Sequence, residues 1–459
     1  MTAAPDWLHD AVFYQIFPDR FANSNPDADL PDTVAWESEP TPTNFFGGDL
    51  EGMTQHLDHI ASLGANGIYL NPIFEADTNH RYDGKNYFAV DPRLGDLAAF
   101  RRFIDSAHGV GIKVILDGVF NHSGIGHPYF QDVMEHEGAS DYVNWYSVEN
   151  FPVTSHPVPN YRTFAGCWDL PKWNVYNPLV RQHHLDVASF WLDEGIDGWR
   201  LDVPWLVPHG FWRQFRELVK RENSEAYIVA EEWREPEQWL QGDMCDGTMN
   251  YTLRALILGF TTGSLDAVEF SAGVNTLRDR IPDGFHHGML NVLGSHDTER
   301  VLTTHSGNRS RCALAHSLMF LSQGAPMVYY GDEVGLTGEN DPGCRGSVPW
   351  DESAWDGAMV DHVRGLTALR ANTAALRRGT QDCWAVDPDT VALVRDWDGA
   401  RVIGIVHRGS GIRVETSSLP ILNPVPLLGE AGHDPTGFLV GPDTVLVLTG
   451  QPAANAGWG

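Results

Sequence analysis

Short apolar runs alternate along most of the chain with stretches whose apolar residues recur at helical spacing. The runs Ala11–Phe17, Gly67–Asn71, Lys113–Asp117, Gly198–Asp202, Tyr227–Glu231, Met289–Gly294 and Met327–Tyr330 predict strands. Several are nearly continuous Val, Ile, Leu and Tyr, as strands buried on both faces require. Between them, Glu51–Leu63, Leu97–His108, Leu185–Leu192 and Phe211–Val219 predict amphipathic helices. A repeating strand–helix order implies a parallel sheet with right-handed crossovers. With a weaker eighth candidate near Thr248–Tyr251, the expected fold is α/β, a closed (β/α)8 TIM barrel.

Two interruptions break this rhythm. From His122 to about Trp173 the chain is rich in Gly, Pro, His and aromatics. That is too long for a βα loop and predicts a subdomain inserted after the third strand. Beyond Arg378, the segments Thr390–Arg395, Arg401–His407, Gly411–Thr416 and Thr444–Thr449 are short and β-rich with turn signals, which predicts a C-terminal antiparallel β-sandwich. The expected division is 1–121 and 174–378 for the barrel, 122–173 for inserted subdomain B and 379–459 for the C-terminal β domain. The end, Gln451–Gly459, is expected to fray.

Composition narrows the function classes. At 459 residues, two or three structural units are expected. A formal net charge of −30 repels nucleic acid and anionic membrane surfaces, so neither is an expected partner. No run of about 18 apolar residues suits a membrane span. The five cysteines are widely spaced with no CxxC, which suggests neither a disulfide framework nor a zinc site. Met1–Trp7 has no basic region and no apolar run, so no secretion signal is visible and the cytoplasm is the expected compartment.

Barrel enzymes place their chemistry at the C-terminal ends of the strands. Here four strands end in acids: Asp117 in DGVFNH, Asp202 in GWRLDV, Glu231 in VAEEW and Asp297 in LGSHDTER. Helix N-capping explains any one of them alone. Together they suggest a shared mouth. Arg200 and Asp202 are two apart on a strand and face the same side, so Arg200 is expected to hold Asp202 ionised. Glu231 beside Trp233 is the candidate carboxylic acid. Carboxyls with split pKa values are what glycosidic bond cleavage needs. Aromatics at the mouth (Tyr82, Phe120, Trp168, Trp173, Trp205, Trp233) are candidates to cover the apolar faces of sugar rings. Core packing is the competing reading for each.

At these residues the sequence resembles the α-amylase family of glycoside hydrolases. The four strand-end motifs look like the family's four main regions, and LPKWN (Leu170–Asn174) looks like the fifth. GANGIYLNPIF (Gly64–Phe74) and GAPMVYYGDE (Gly324–Glu333) are similar to its neopullulanase and cyclomaltodextrinase branch. The resemblance implies Asp202 as nucleophile, Glu231 as general acid and base, and Asp297 as the acid that grips the sugar hydroxyls. It also implies sugar contacts from Asp117, His122 and His296, stacking from Tyr82, and a role for Asp83 in tying down Arg200 or its surroundings. Asp341 and Arg345 in NDPGCR would grip a donor-side sugar. Phe21–Asp29 with Gly47-Gly48-Asp49 resembles a calcium loop, with Asn23, Asn25, Asp29, Gly47 and Asp49 as oxygen ligands. Ala28 stands where a ligand is usual, so a weak or absent calcium site is an equal expectation. No organic cofactor is implied.

Two departures shape the expected substrate. The extra N-terminal β domain of neopullulanases has no counterpart before Ala11, which leaves a monomer or a dimer built another way. After the nucleophile, the usual Val-Ala-Asn-Glu is replaced by Val203-Pro204-Trp205-Leu206. This suggests a bulkier, more apolar acceptor side. The expectation is a retaining hydrolase of small cyclic or α-1,6-containing maltooligosaccharides. The alternatives are a transglycosylase using the same covalent intermediate and a non-catalytic glucan-binding homologue.

Overall fold

The computed structural model describes residues 4–429, 432–434 and 436–453. Eight parallel strands are present: β1 (Phe13–Ile16), β2 (Gly67–Leu70), β3 (Lys113–Gly118), β4 (Gly198–Leu201), β5 (Tyr227–Ala230), β6 (Gly247–Thr248), β7 (Leu290–Asn291) and β8 (Ala325–Tyr329). Their order is β6-β5-β4-β3-β2-β1-β8-β7. A parallel bridge from Met249 to Leu290 joins the two ends and closes the barrel.

Every residue of β1, β2, β4 and β5 is buried, as their apolar composition requires. Inside the barrel, Phe13, Tyr69, Ile115, Tyr227, Val229, Leu290 and Met327 form one packed cluster. Two residues on from Phe13, Tyr69 and Ile115 stand Gln15, Asn71 and Asp117, all buried. The period of two therefore carries the inward face from an apolar floor to a polar mouth.

Several helices between the strands start on side-chain caps. Asp96 accepts from Ala99 N at 2.7 Å to start Leu97–Gly109. Asn177, with Pro178 at the first helical position, starts Pro178–Asp193. The stretch Glu51–Leu63 differs from its single-helix reading. It forms Leu50–Gln55 and Leu57–Ser62, broken at His56. The His56 ring lies 3.7 Å from Trp350, and Nδ1 contacts the Gly52 carbonyl oxygen, so tertiary packing overrides the periodicity.

After β3 the chain leaves the barrel, with helix Pro128–His136 and irregular, cross-bridged segments before it returns near Trp173. Beyond helix Ala374–Arg378 the described residues form eight antiparallel strands: β9 (Thr380–Asp387), β10 (Thr390–Trp397), β11 (Ala400–His407), β12 (Ile412–Glu415), β13 (Ile421–Leu428), β14 (Gly432–Asp434), β15 (Gly437–Val440) and β16 (Thr444–Pro452). They form a five-stranded sheet, β9-β10-β11-β16-β13, and a three-stranded sheet, β12-β15-β14. Val394, Ile403, Ile405, Val414, Phe438 and Leu446 pack between them. The opposite face of the larger sheet, through Leu393, Val402 and Val447, joins the barrel's main core. β13 carries Pro424 and Pro426, which remove ladder donors and hide it from a strand pattern; it lies at a sheet edge, where prolines are tolerated. Gln451 and Pro452 continue β16 where fraying is expected, and 454–459 lie outside the described residues.

Candidate active site

The polar mouth is organised by one cation. Arg200, on β4 and fully buried, donates from Nη1 to Asp117 Oδ1 at 2.7 Å and to Asp202 Oδ1 at 3.0 Å. Its Nη2 lies 3.0 Å from Glu231 Oε2. The ladder that pairs Asp117 with Arg200, and Arg200 with Val229, sets this convergence. Arg200 is thus shared among three carboxyls rather than dedicated to Asp202.

Glu231 Oε2 also accepts from the Val203 backbone N–H at 2.9 Å, and Oε1 accepts from Trp233 Nε1 at 2.8 Å. The Trp233 ring stacks on Tyr251 at 3.7 Å, which fixes its direction. Glu232 turns away: it accepts from Trp239 Nε1 at 2.7 Å and from Arg234 N at 2.9 Å, and so shapes the loop after β5.

Asp297 Oδ2 lies 3.3 Å from His296 Nε2, and Asp297 Oδ1 lies 3.7 Å from Arg345 Nη2. Asp341 pairs with Arg345 at 2.9 Å, and Arg345 Nε donates to the His296 carbonyl at 2.9 Å. The NDPGCR segment is therefore tied to the strand-end acids and is more than a surface ion pair. Tyr82 OH contacts Asp117 Oδ2 at 2.7 Å and His296 Nε2 at 2.6 Å, with the Tyr82 and His296 rings nearly parallel. Gln15, Asn71 and Tyr69, to which the sequence reading assigns no role, complete this network. For Gln15 and Asn71 the sequence signal is polarity two residues beyond a core position on an inward strand face.

Electrostatics follow from burial. Desolvation pushes the Asp202 carboxyl well up, with Arg200 pulling it down and Glu231 and Asp117 adding to the rise. Desolvation and then Glu231 bring Asp297 up to about 7. Burial holds His296 well below its usual value and His122 down to about 3, so both are neutral rings. The expected Arg200–Asp202 contact is present at 3.0 Å: burial opposes the charged carboxyl, and the Arg200 guanidinium opposes that rise.

Some expected contacts fall elsewhere. Asp83 ties down the surroundings of Arg200 and not Arg200 itself: it accepts from Thr78 Oγ1 and from Asp77 N, and so folds the loop that carries Tyr82. Phe120 is fully buried against Phe215 and Trp199, and Trp173 is buried on Tyr146, so both are core residues. His122 is buried, as Arg200 and His296 are, and stacks on Phe164, which leaves it among the candidate sugar contacts. Trp205 and Trp168 are each 42% exposed, so their faces remain open to a ligand. Trp205 rides on a turn held by Lys172 Nζ to the Leu206 carbonyl and by Trp212 Nε1 to the Pro204 carbonyl, at 2.8 and 2.9 Å.

At the loop resembling a calcium site, the groups bond one another. Asn23 Nδ2 donates to Asp29 Oδ2 at 2.8 Å. Asp49 caps Leu50–Gln55 through Gly52 N and accepts from Ser24 N and Oγ. A Cβ on Gly47, whose φ is +82°, would lie 2.6 Å from Asn23 Nδ2 and 2.8 Å from Asp29, so the loop closes tightly over glycine. Asn25 makes no side-chain cap to the turn it precedes.

Comparison with known proteins places this geometry. The family profile described as alpha amylase, catalytic domain, matches residues 15–381. A cyclomaltodextrinase from Geobacillus thermopakistaniensis is 42% identical over 91% of this chain and 71% of its own length. Neopullulanase 2 from Thermoactinomyces vulgaris is 43% identical over 89% of this chain and 70% of its own. The structure of a cyclic α-maltosyl-(1→6)-maltose hydrolase from Arthrobacter globiformis, in complex with that cyclic sugar, is 57% identical with a TM-score of 0.94. It covers 98% of this chain and all of its own. The closed barrel, the acids at its mouth and these matches show that the chain belongs to the α-amylase family of glycoside hydrolases.

Proposed function

We propose that this enzyme hydrolyses small cyclic or α-1,6-containing maltooligosaccharides, cyclic maltosyl-maltose foremost, with retention of the anomeric configuration. The observation that carries the reading is the single Arg200 guanidinium that touches both Asp202 and Glu231. Carboxyls that share one guanidinium are held near each other, which supports the short separation of about 5–5.5 Å that a retaining pair uses. Asp202 attacks C1 and forms the glycosyl ester while Glu231 gives its proton to the departing glycosidic oxygen. A water then attacks C1, loses a proton to Glu231, and releases Asp202. Asp297 accepts hydrogen bonds from the ring hydroxyls. Tyr82 covers the ring, with Asp117 and His296 holding its hydroxyl, and Arg345 with Asp341 stands on the donor side.

The exposed Trp205 supports a compact substrate, because an apolar wall favours a small ring over a hydrated polymer. The likeness to the Arthrobacter hydrolase points to the same class. The loop at Asn23, Asp29 and Asp49 is read as standing without a cation, since its carboxylates already accept internal hydrogen bonds and Asn23 presents its NH2 to Asp29. No step runs through a metal. Action in the cytoplasm is in keeping with five unpaired cysteines. No described helix is long and apolar enough to cross a membrane.

The test is chromatography and NMR of products from cyclic maltosyl-maltose, γ-cyclodextrin, panose, pullulan and soluble starch. Rapid ring opening with an α-anomer formed first, and starch nearly inert, is the expected result. Faster attack on starch overturns the substrate class, and a β-anomer formed first overturns retention. Fewer new reducing ends than bonds cleaved would identify transfer instead of hydrolysis.

A further inference from the structure

The hydrogen bonds that run from Asp117 to Gln15 have only one consistent direction. Asp117, paired with Arg200 as a carboxylate, accepts at Oδ2 from Tyr69 OH at 2.6 Å and from Tyr82 OH at 2.7 Å. Tyr82 has then spent its single proton. Its oxygen must accept from Asn71 Nδ2 at 3.0 Å and from His296 Nε2 at 2.6 Å. His296 therefore carries its proton on Nε2, and Nδ1 must accept. The atom facing Nδ1 is Gln15 Nε2, at 3.0 Å, which also donates to Asn71 Oδ1 at 2.9 Å. Reversing the Gln15 amide would set its oxygen against two acceptors. Gln15 Oε1 is left buried and unpartnered, a cost accepted to keep the donor where it is.

We propose that Gln15 is a positioning residue that locks His296 in the Nε2–H tautomer, so that this histidine always presents a donor to Tyr82, Asp297 and the reacting sugar. Gln15 is fully buried on β1 and touches no reacting group itself. Its effect passes through the imidazole, as it does for histidines whose outer nitrogen is fixed by a partner. Around the ring, the titratable and charged groups are Asp297 and Tyr82 in contact, with Arg345, Arg200 and His80 nearby. Burial and then the cations oppose protonation of the ring, and Gln15 secures from the Nδ1 side the same neutral tautomer that Tyr82 requires at Nε2. The catalytic part of this inference rests on the proposed function; the tautomer itself does not.

The test has two arms. In the first, ¹⁵N spectra of histidine-labelled wild-type protein report the His296 tautomer without substrate, the signal being assigned by its loss in His296→Asn. An Nε2–H ring with a bare Nδ1 is expected; an Nδ1–H ring overturns the proposal, whatever the substrate proves to be. In the second, Gln15→Leu removes the donor at similar size, and Gln15→Glu replaces it with an acceptor. Both are compared with wild type on 4-nitrophenyl α-maltoside, which makes the readout independent of the natural substrate. Gln15→Leu should lower kcat by about 10- to 100-fold, by analogy with the loss of an outer partner from a metal-binding histidine. Gln15→Glu should put protons on both ring nitrogens and move the acid limb of the kcat/KM profile to higher pH. A Gln15→Glu enzyme with wild-type kcat, pH profile and ring spectrum overturns the proposal. If either variant fails to fold, the wild-type spectrum alone decides.

Discussion

The backbone N–H of Val203 donates to Glu231 Oε2 at 2.9 Å from a left-handed conformation, φ 37° and ψ 50°. For a β-branched residue this conformation costs about 1–2 kcal/mol. It sits directly after Asp202 and turns the chain so that one backbone group reaches the neighbouring strand's acid. Glycine adopts this conformation freely and keeps the N–H, whereas proline has no N–H and a φ near −65°. Val203→Gly is expected to keep kcat/KM within about tenfold of wild type, and Val203→Pro to lose at least about 10³-fold. Steady-state kinetics on both variants, with circular dichroism to confirm folding, checks the contrast.

Removing either member of the pair on Arg200 should separate the two chemical steps. Asp202→Asn is expected to lower kcat by at least about 10³-fold while sugar binding, measured by calorimetry, persists. Glu231→Gln should still react with α-maltosyl fluoride, whose leaving group needs no proton. The ester then accumulates for want of a base, and mass spectrometry should find the added sugar on the peptide that contains Asp202. Sugar attached elsewhere would contradict the assignment.

Glu232 is expected to matter for stability and not for chemistry. Its carboxylate gathers Trp239, Arg234 and Gln238. Hydrogen bonds to a charged group contribute about 1.5–3 kcal/mol. Glu232→Ala should lower stability by about that amount in denaturant titration, with kcat changed far less than in Glu231→Gln.

The junction of the inserted segment with the barrel should loosen first in acid. His127, His183 and His184 cluster there around Trp173. Burial pushes His127 down to about 3 and His183 to about 4, and holds His184 well below its usual value. In the unfolded chain each takes a proton near 6.5. The unfolded state thus binds more protons across that window. The contribution of these rings is complete above pH about 6.5 and is lost as pH falls toward about 4. Hydrogen–deuterium exchange between pH 7 and 4.5, corrected for intrinsic rates, should show protection lost in 128–175 before β3 and β4. Simultaneous loss would contradict it.

The loop around Gly47 should be indifferent to chelation. With Asp49 committed to Gly52 and Ser24, and Asp29 to Asn23, EDTA is expected to leave Tm unchanged, and added calcium to raise it by no more than the error of the scan. A calcium-dependent rise in Tm that saturates would show a bound cation instead.

The sequence by itself determined the barrel and the acids at its rim. Strand runs such as Lys113–Asp117 and Tyr227–Glu231 are local, continuous and apolar, and their period of two sends alternate residues inward, which suffices to put Asp117, Arg200 and Asp202 on one side. It did not determine which acid each cation serves. Arg200 is two residues from Asp202, yet it also binds Asp117 and Glu231, from strands that become its neighbours only when the sheet closes. Trp173 and Trp205 are equivalent as sequence, both aromatic near a motif. Only tertiary packing buries the first on Tyr146 and leaves the second exposed. Gln15 gives no motif at all, because its role is a hydrogen-bond direction passed through Asn71, Tyr82 and His296 from an acid about a hundred residues away. Periodicity is a property of neighbours along the chain. Charge sharing, burial and hydrogen-bond direction are properties of neighbours in space, and the closed barrel decided them.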